Sequence, residues 1–154
     1  QTEKCSSSLH IISFLIDRLT DDVVLPFVSQ EFVDTVVDMA LNAPFDIMKQ
    51  AAFVVATMSY KLGPSIVETL IQPDIVKLMV EMLDSDQNDI MLKCLLALLN
   101  MTRISVLCGK QKEFVEYLNH TDIFDVLSTL GENRLQTISD RALSLLKKLE
   151  PLFN

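Results

Sequence analysis

The sequence predicts an all-α protein, built as a solenoid of short helical repeats. Apolar residues make up 49% of the 154 residues, which is enough to form a sizeable core. Glycine occurs only three times, whereas β-rich domains use many glycine-containing turns. Together with a pattern that recurs along the chain, this composition favours helices joined by short connections.

The recurring pattern is clearest at an Asp-Ile-Met motif. The motif occupies residues 46–48 and returns at residues 89–91, 43 positions later. In a third copy, 48 positions after the second, Ile138 takes the place of Ile90 and Ala142 that of Cys94. We expect the five additional residues to lie in a helix connection, within or near residues 103–112, because loops tolerate insertions best.

Each repeat is predicted to contain a short, a medium and a long helix. The first helices span residues 22–29, 65–72 and 113–119, the second 31–41, 74–83 and 122–130, and the third 46–60, 89–103 and 135–149. Residues 5–19 have the pattern of a third helix alone. We therefore expect one domain over residues 1–154, about three and a half repeats long. Its parts are a partial leading repeat at 1–20 and full repeats at 21–62, 63–108 and 109–154.

Local signals agree with these boundaries. Pro44, Pro64 and Pro73 stand at predicted helix starts, where a missing N–H group costs little. Gly63 and Gly109 follow third helices, as helix-terminating glycines do. Within the first complete third helix, apolar residues recur with the spacing of a buried helical stripe, at Ile47, Ala51, Val54, Val55 and Met58.

A period of 43 to 48 residues lies in the range of armadillo and HEAT repeats, and three helices per unit favour the armadillo form. The segment at residues 49–58, Lys-Gln-Ala-Ala-Phe-Val-Val-Ala-Thr-Met, resembles the third helix of the importin-α armadillo repeats. This resemblance implies a right-handed α-solenoid that acts in nuclear transport and binds a cargo, a receptor or a nucleoporin.

The same family implies a concave groove in which a Trp, and an Asn four residues later, hold an extended peptide. This chain departs from that pattern, because only Asn100 matches it. The Trp positions hold Phe53, Leu96 and Ser144, and the Asn positions hold Thr57, Asn100 and Lys148.

A second resemblance lies near the end of the chain. Residues 133–137, Asn-Arg-Leu-Gln-Thr, are similar to a segment of meiotic recombination adaptors, whose armadillo domain binds a peptide from a DNA-repair protein. Two hypotheses about function therefore stand. The chain is either an importin-α-like transport adaptor fragment, or an armadillo scaffold unrelated to transport, such as a meiotic recombination or signalling adaptor.

The candidate binding site is the face of the third helices that the core leaves open. Solenoids line their concave surface with such positions, and extended partners lie along them, so we expect a protein or peptide partner. A second interpretation is that Phe53, Leu92 and Leu96 pack between repeats. The predicted site consists of Lys49, Phe53, Thr57, Tyr60, Leu96, Asn100, Arg103, Ser144 and Lys148, with Leu92 and Asp140 beside them.

No residue pattern predicts an enzyme, a metal site, a cofactor or a small-molecule substrate. His10 and His120 have no Cys or His partner at metal-ligand spacing. Residues 84–89 imitate the start of a calcium loop but lack its Gly at the sixth position. The three cysteines, Cys5, Cys94 and Cys108, are unevenly spaced, which favours a reducing compartment, the cytoplasm or the nucleus.

The formal net charge of −8 favours a basic protein or peptide as partner. Five acidic residues are expected on the solvated face of the second helices, where they are free to attract such a partner: Glu31, Asp34, Asp38, Asp84 and Asp86. No stretch approaches 18 uninterrupted apolar residues, so no membrane span is predicted.

Nucleic acid is excluded as a partner by the same charge, because an acidic surface repels phosphate groups. We expect no submicromolar binding of generic duplex DNA or RNA in a filter assay at about 0.1 M salt. Tight binding that weakens steeply as salt is raised would contradict this prediction.

Overall fold

A computed structural model describes residues 2–154, and within them the chain forms ten α-helices and no β-strand. The all-α prediction is confirmed. The helices are α1 (Thr2–Arg18), α2 (Asp21–Val24), α3 (Gln30–Asn42), α4 (Phe45–Lys61), α5 (Pro64–Leu70), α6 (Pro73–Glu81), α7 (Asn88–Leu107), α8 (Gln111–Asn119), α9 (Ile123–Leu130) and α10 (Gln136–Phe153). Short 3₁₀ turns occupy Leu25–Phe27 and Met82–Asp84.

The long helices α1, α4, α7 and α10 form a continuous inner layer. Each packs against the next one in chain order, and the shorter helices cover them: α3 lies on α4 and α6, and α9 lies on α10. This is the arrangement of a solenoid, in which each repeat contacts its neighbours. The division into repeats that begin at residues 21, 63 and 109 stays a prediction.

The first repeat has a shorter first helix than predicted. An unbroken helix over residues 22–29 was expected, but α2 ends at Val24 and a 3₁₀ turn follows over Leu25–Phe27. Pro26 lies inside that turn. Because proline lacks a backbone N–H and its ring clashes with the preceding helical turn, an α-helix cannot continue through it.

The third helix of the second repeat is longer than predicted. It was expected to end at Arg103, but α7 continues to Leu107, and Ile104 and Ser105 are buried. The five inserted residues were expected to lengthen only the connection after α7. They also extend α7 itself by about one helical turn. Lys110 N–H donates to Ser105 O at 2.8 Å, and Gly109 between them has φ 72°. This is a Schellman ending with a left-handed glycine.

Gly63 does not end its helix in the expected way. The residue before it, Leu62, is extended (φ −84°, ψ 166°), and Gly63 itself has φ −70°. The chain therefore leaves α4 in an extended conformation and enters α5 directly at Pro64. The expectation of a helix-terminating glycine was right for Gly109 and wrong for Gly63.

The predicted stripe of α4 lies in the core. Ala51, Val54, Val55 and Met58 are fully buried, and Ile47 is partly buried. Cys94 occupies an equivalent place on α7, where burial raises the pKa of its thiol to about 12. A thiol in this environment stays protonated and behaves as a small apolar side chain.

Within residues 2–154, α7 is the one helix long and apolar enough to cross a membrane by length and composition, with a mean hydropathy of 1.7 over 18 residues. Of that apolar window, 56% is buried inside the protein. α7 contacts α4, α5, α6, α8 and α10, and this central position accounts for its composition. The expectation that the chain has no membrane span stays a prediction.

The left-handed glycine allows a test of the Schellman ending. Gly109→Ala should lower the free energy of unfolding by about 1–2 kcal/mol, because a Cβ strains this backbone conformation. Gly63→Ala is the matched control: nothing lies within 4 Å of its Cβ position, so we expect a change within about 0.5 kcal/mol. Urea denaturation measures both values. Equal effects would show that the end of α7 does not require glycine.

Candidate functional site

The predicted site residues lie on three consecutive helices of the inner layer. α4 carries Lys49, Phe53, Thr57 and Tyr60; α7 carries Leu96, Asn100 and Arg103; α10 carries Ser144 and Lys148. Their exposure differs. Tyr60, Arg103 and Lys148 are exposed, and Thr57 is buried. The others are half-buried: Lys49, Phe53, Leu96, Asn100 and Ser144. We refer to all of these residues except Thr57 as the third-helix stripe.

Thr57 is inaccessible to a partner, which corrects its predicted place in the groove. Its hydroxyl donates to Phe53 O at 2.8 Å and lies 2.9 Å from the Ser13 hydroxyl of α1. Because the Thr57 proton is already directed at Phe53 O, Ser13 is the donor in the second bond. Thr57 therefore connects α1 to α4.

Asn100 uses both ends of its amide within the chain. Its Nδ2 donates to Ser59 O at 2.7 Å, in the last turn of α4, where carbonyl groups lack helical partners. Its Oδ1 accepts from Arg103 Nη2 at 3.0 Å and from Arg103 Nε at 3.2 Å. The sequence predicts that this amide is free to bind a partner's backbone. In the structure its donor and its acceptor are already used in contacts between α4 and α7 and within α7.

Lys93 is the residue that sequence reasoning missed. Its Nζ lies 3.2 Å from Asp17 Oδ1 of α1, 5.2 Å from the ring centre of Tyr60 and 5.9 Å from that of Phe53. The side chain is 14% exposed. Lys93 thus joins three helices of the inner layer through one ammonium group. Its spacing from Leu96 and Asn100, three and seven residues, is the signal that places it on the same helical face.

The two ends of the stripe are more open. At the start of α4, Lys49 Nζ lies 5.1 Å from the ring centre of Phe45, beside a shallow polar depression of about 430 Å³. That depression lies between the amino ends of α1 and α4, where Ser6, Ser7 and Gln50 line it. At the other end of the stripe Lys148 is exposed on α10, and Asp140, in the first turns of the same helix, accepts from Gln136 at 2.6 Å.

The histidines lie outside the stripe's polar contacts. His10 is exposed on α1, and His120 is exposed after α8. In the described part of the chain, no three His, Cys, Asp or Glu residues come close enough to hold a metal ion.

Two solved structures share this architecture. A designed armadillo repeat protein has a TM-score of 0.70 and 14% identity; the match covers 95% of this chain, which spans 58% of that protein's length. An engineered protein solved as a structural genomics target has a TM-score of 0.58 and 12% identity, over 96% of this chain and 73% of its own. These likenesses show the fold: armadillo-like helical repeats.

Sequence comparison adds no family. No protein-family model matches the chain, and no curated protein matches it in sequence. Stacked helical repeats of this kind form extended concave surfaces. The resemblance to importin-α stays a prediction.

The buried hydroxyl pair allows a double-mutant test. Ser13→Ala should lower the free energy of unfolding by less than about 1 kcal/mol, because Thr57 still donates to Phe53 O. Thr57→Val should cost about 1–3 kcal/mol, because Ser13 then loses its acceptor. With both hydroxyls removed, we expect a coupling of about 0.5–1.5 kcal/mol by urea denaturation. Strictly additive effects would contradict a direct bond between α1 and α4.

Proposed function

We propose that this chain is a non-catalytic protein-binding module that holds an acidic, extended peptide along the third-helix stripe. The observation that carries the proposal is the distribution of charge between layers. The long helices α1, α4, α7 and α10 contain nine basic and six acidic residues, a formal charge of +3. The second helices α3, α6 and α9 contain one basic and six acidic residues, a formal charge of −5.

Two acidic side chains near the stripe are already engaged, whereas Glu3 and Asp46 line the depression beside Lys49. Asp17 pairs with Lys93 at 3.2 Å, and Asp140 accepts from Gln136. In contrast, Arg103 and Lys148 are exposed and have no acidic partner within 4 Å in the described chain. Arginine is well suited to bind a carboxylate, since its planar guanidinium carries several donors. The accessible charge of the stripe is therefore positive.

The apolar part of the stripe supplies contact area between these charges. Phe53 is half-buried and Tyr60 is exposed, and both hold Lys93 against their rings. Aromatic and arginine side chains carry most of the binding energy in many interfaces. Packed helices lie about 8–10 Å apart and an extended chain advances about 3.4 Å per residue. A peptide of about eight residues is therefore long enough to run from α1 to α10.

Of the two functional hypotheses, the one unrelated to transport has more structural support. The transport hypothesis rests on the resemblance of residues 49–58 and requires asparagines that are free to hold a peptide backbone. Asn100 is the one residue that matches, and its amide is bonded to Ser59 and Arg103. We therefore favour an armadillo scaffold or adaptor, and include a cytoplasmic or nuclear setting because Cys5, Cys94 and Cys108 are free thiols.

The test uses labelled peptides of about ten residues, one rich in Glu and Asp and one rich in Lys and Arg, measured by fluorescence anisotropy. We expect saturable binding of the acidic peptide that weakens with salt. Arg103→Ala and Lys148→Ala should each reduce affinity about tenfold, the effect of about 1.4 kcal/mol. Lys77→Ala removes another exposed cation, which lies on α6 and pairs with Glu81 at 3.8 Å; it is the control and should leave binding unchanged.

The thermal melt separates binding from folding. Arg103 and Lys148 are exposed, so their variants should melt like the original chain. If Lys77→Ala weakens binding as much as Lys148→Ala does, the charge acts without a specific site and the proposal fails.

The alternative is a basic partner, which would bind a different surface. Glu31, Asp34 and Asp38 are exposed on α3, within the acidic second-helix layer. Asp34 and Asp38 accept from Gln30 and Asn42 at 2.8 Å each. If the basic peptide binds, and Asp34→Asn abolishes its binding while Arg103→Ala does not, then the partner surface is this outer face.

A further inference from the structure

Arg103 is held in one orientation by a neighbouring amide, although the residue itself is exposed. Its Nε and Nη2 both donate to Asn100 Oδ1, at 3.2 Å and 3.0 Å. Asn100 is fixed in turn, because its Nδ2 donates to Ser59 O at 2.7 Å in the last turn of α4. Hydrogen bonds therefore connect the backbone of α4, through one amide, to a guanidinium on the open face of α7.

The amide that holds Arg103 carries no charge, and this decides what the guanidinium can still bind. An arginine held by a carboxylate forms an ion pair, in which the nearby negative charge offsets its attraction for a further anion. Asn100 orients Arg103 without such an offset. In the described chain Arg103 has no acidic partner within 4 Å. Arg103 thus combines a fixed orientation with an uncompensated positive charge.

The bonds to Asn100 occupy one edge of the guanidinium and leave another edge open. An arginine side chain has five N–H bonds, of which one on Nε and one on Nη2 donate to Asn100. Nη1 keeps both of its N–H bonds and Nη2 keeps one, so the edge between Nη1 and Nη2 still presents two parallel donors. Such a pair matches two oxygens of a carboxylate or of a phosphate.

The other arginines of the described chain are held differently. Arg18 lies over the Phe14 ring of its own helix, with its Cζ 5.1 Å from the ring centre. Arg134 and Arg141 are exposed and have no acidic partner within 4 Å. A mobile side chain loses rotamer freedom when it binds a ligand, which reduces affinity. Because Asn100 already orders Arg103, a ligand of Arg103 avoids much of this cost.

We infer that Asn100 is a positioning residue, which fixes Arg103 as a two-donor anchor for a carboxylate or phosphate group of the bound peptide. The inference rests on the proposed function, because it names the residue pair that would select an acidic peptide on the third-helix stripe. Asn100 acts through Arg103, so its effect on affinity depends on the presence of the guanidinium.

A double-mutant cycle tests this dependence on the full chain, by fluorescence anisotropy with the labelled acidic peptide. Asn100→Leu should weaken binding about fivefold, because the peptide must then order the guanidinium itself. In the Arg103→Ala background the same substitution should change affinity less than about twofold, because no guanidinium remains to be positioned. If Asn100→Leu weakens binding equally in both backgrounds, it acts by disturbing the contact between α4 and α7, and the inference is wrong.

A conservative variant of Arg103 provides a second test that leaves Asn100 bonded to Ser59. Arg103→Lys keeps the positive charge but lacks the planar edge, so we expect about a fivefold loss of affinity. Arg103 is exposed, so this variant should fold like the original chain. Full affinity in Arg103→Lys would show that charge alone suffices, which overturns the inference. Asn42→Leu is the matched control: its amide donates to Asp38 Oδ1 at 2.8 Å on α3, and binding should stay unchanged.

The chemistry of the anion is tested with two further peptides. One carries phosphoserine in place of Glu and Asp, and the other carries Gln and Asn as the neutral version. Binding of either anionic peptide at least about tenfold tighter than the neutral one supports the anchor and identifies the source of the oxygens. Equal binding of all three refutes the proposed function together with this inference. Anion-selective binding that Arg103→Ala weakens and Asn100→Leu does not refutes this inference alone.

Discussion

The architecture depends on one constraint, which is that the long helices are apolar on more than one side. In α4, residues 51–59 are all buried except Phe53, which is half-buried. α7 is covered by five other helices. No single helix of this kind can hide its apolar surface alone, so each must lie between two others. The inner layer from α1 to α10 follows from that requirement. It also places equivalent faces of successive helices side by side, which makes one continuous inner surface.

Polar groups then fix how the long helices lie against each other. Ser13 and Thr57 connect α1 to α4, Asn100 connects α7 to the last turn of α4, and Lys93 reaches across to Asp17 of α1. A buried polar group costs free energy unless it is paired, so these contacts favour one alignment over others. The same positions line the inner surface. A side chain there serves either the neighbouring helix or a partner, and in this chain the neighbours have taken Thr57 and Asn100.

Sequence alone predicted the fold well because the long helices are strongly periodic. Every long helix was found within a few residues of its ends. The misses have local causes: Pro26 broke α2 into a 3₁₀ turn, and inserted residues continued α7 because Ile104 and Ser105 could be buried. The site was less predictable. Thr57 has a position on the helical wheel that suits a groove, but its burial depends on how closely α1 approaches, and no single helix contains that information.

The contacts of Lys93 likewise cannot be predicted from its own helix alone. Its spacing puts it on the open face of α7, yet its function in the structure comes from Asp17 and Tyr60, which lie on two other helices. The internal repeat offers a partial remedy, because residues 43 positions apart occupy equivalent places and differ mainly in their neighbours. Leu15 and Met58 are such a pair: similar side chains, one exposed and the other fully buried. A comparison of this kind shows how much the burial of a side chain depends on the helices around it.

The division of charge gives the solenoid two unlike surfaces. The long helices carry a formal charge of +3 and the second helices one of −5, so the two layers differ in the sign of the charge that they present. Screening limits electrostatic attraction to about 8 Å at physiological salt, which is less than the spacing of about 10 Å between packed helices. A partner near the inner layer therefore responds mainly to the local cations, Arg103 and Lys148, and little to the net charge of −8. For this reason the net charge of the chain is a poor guide to the chemistry of the partner proposed for the third-helix stripe.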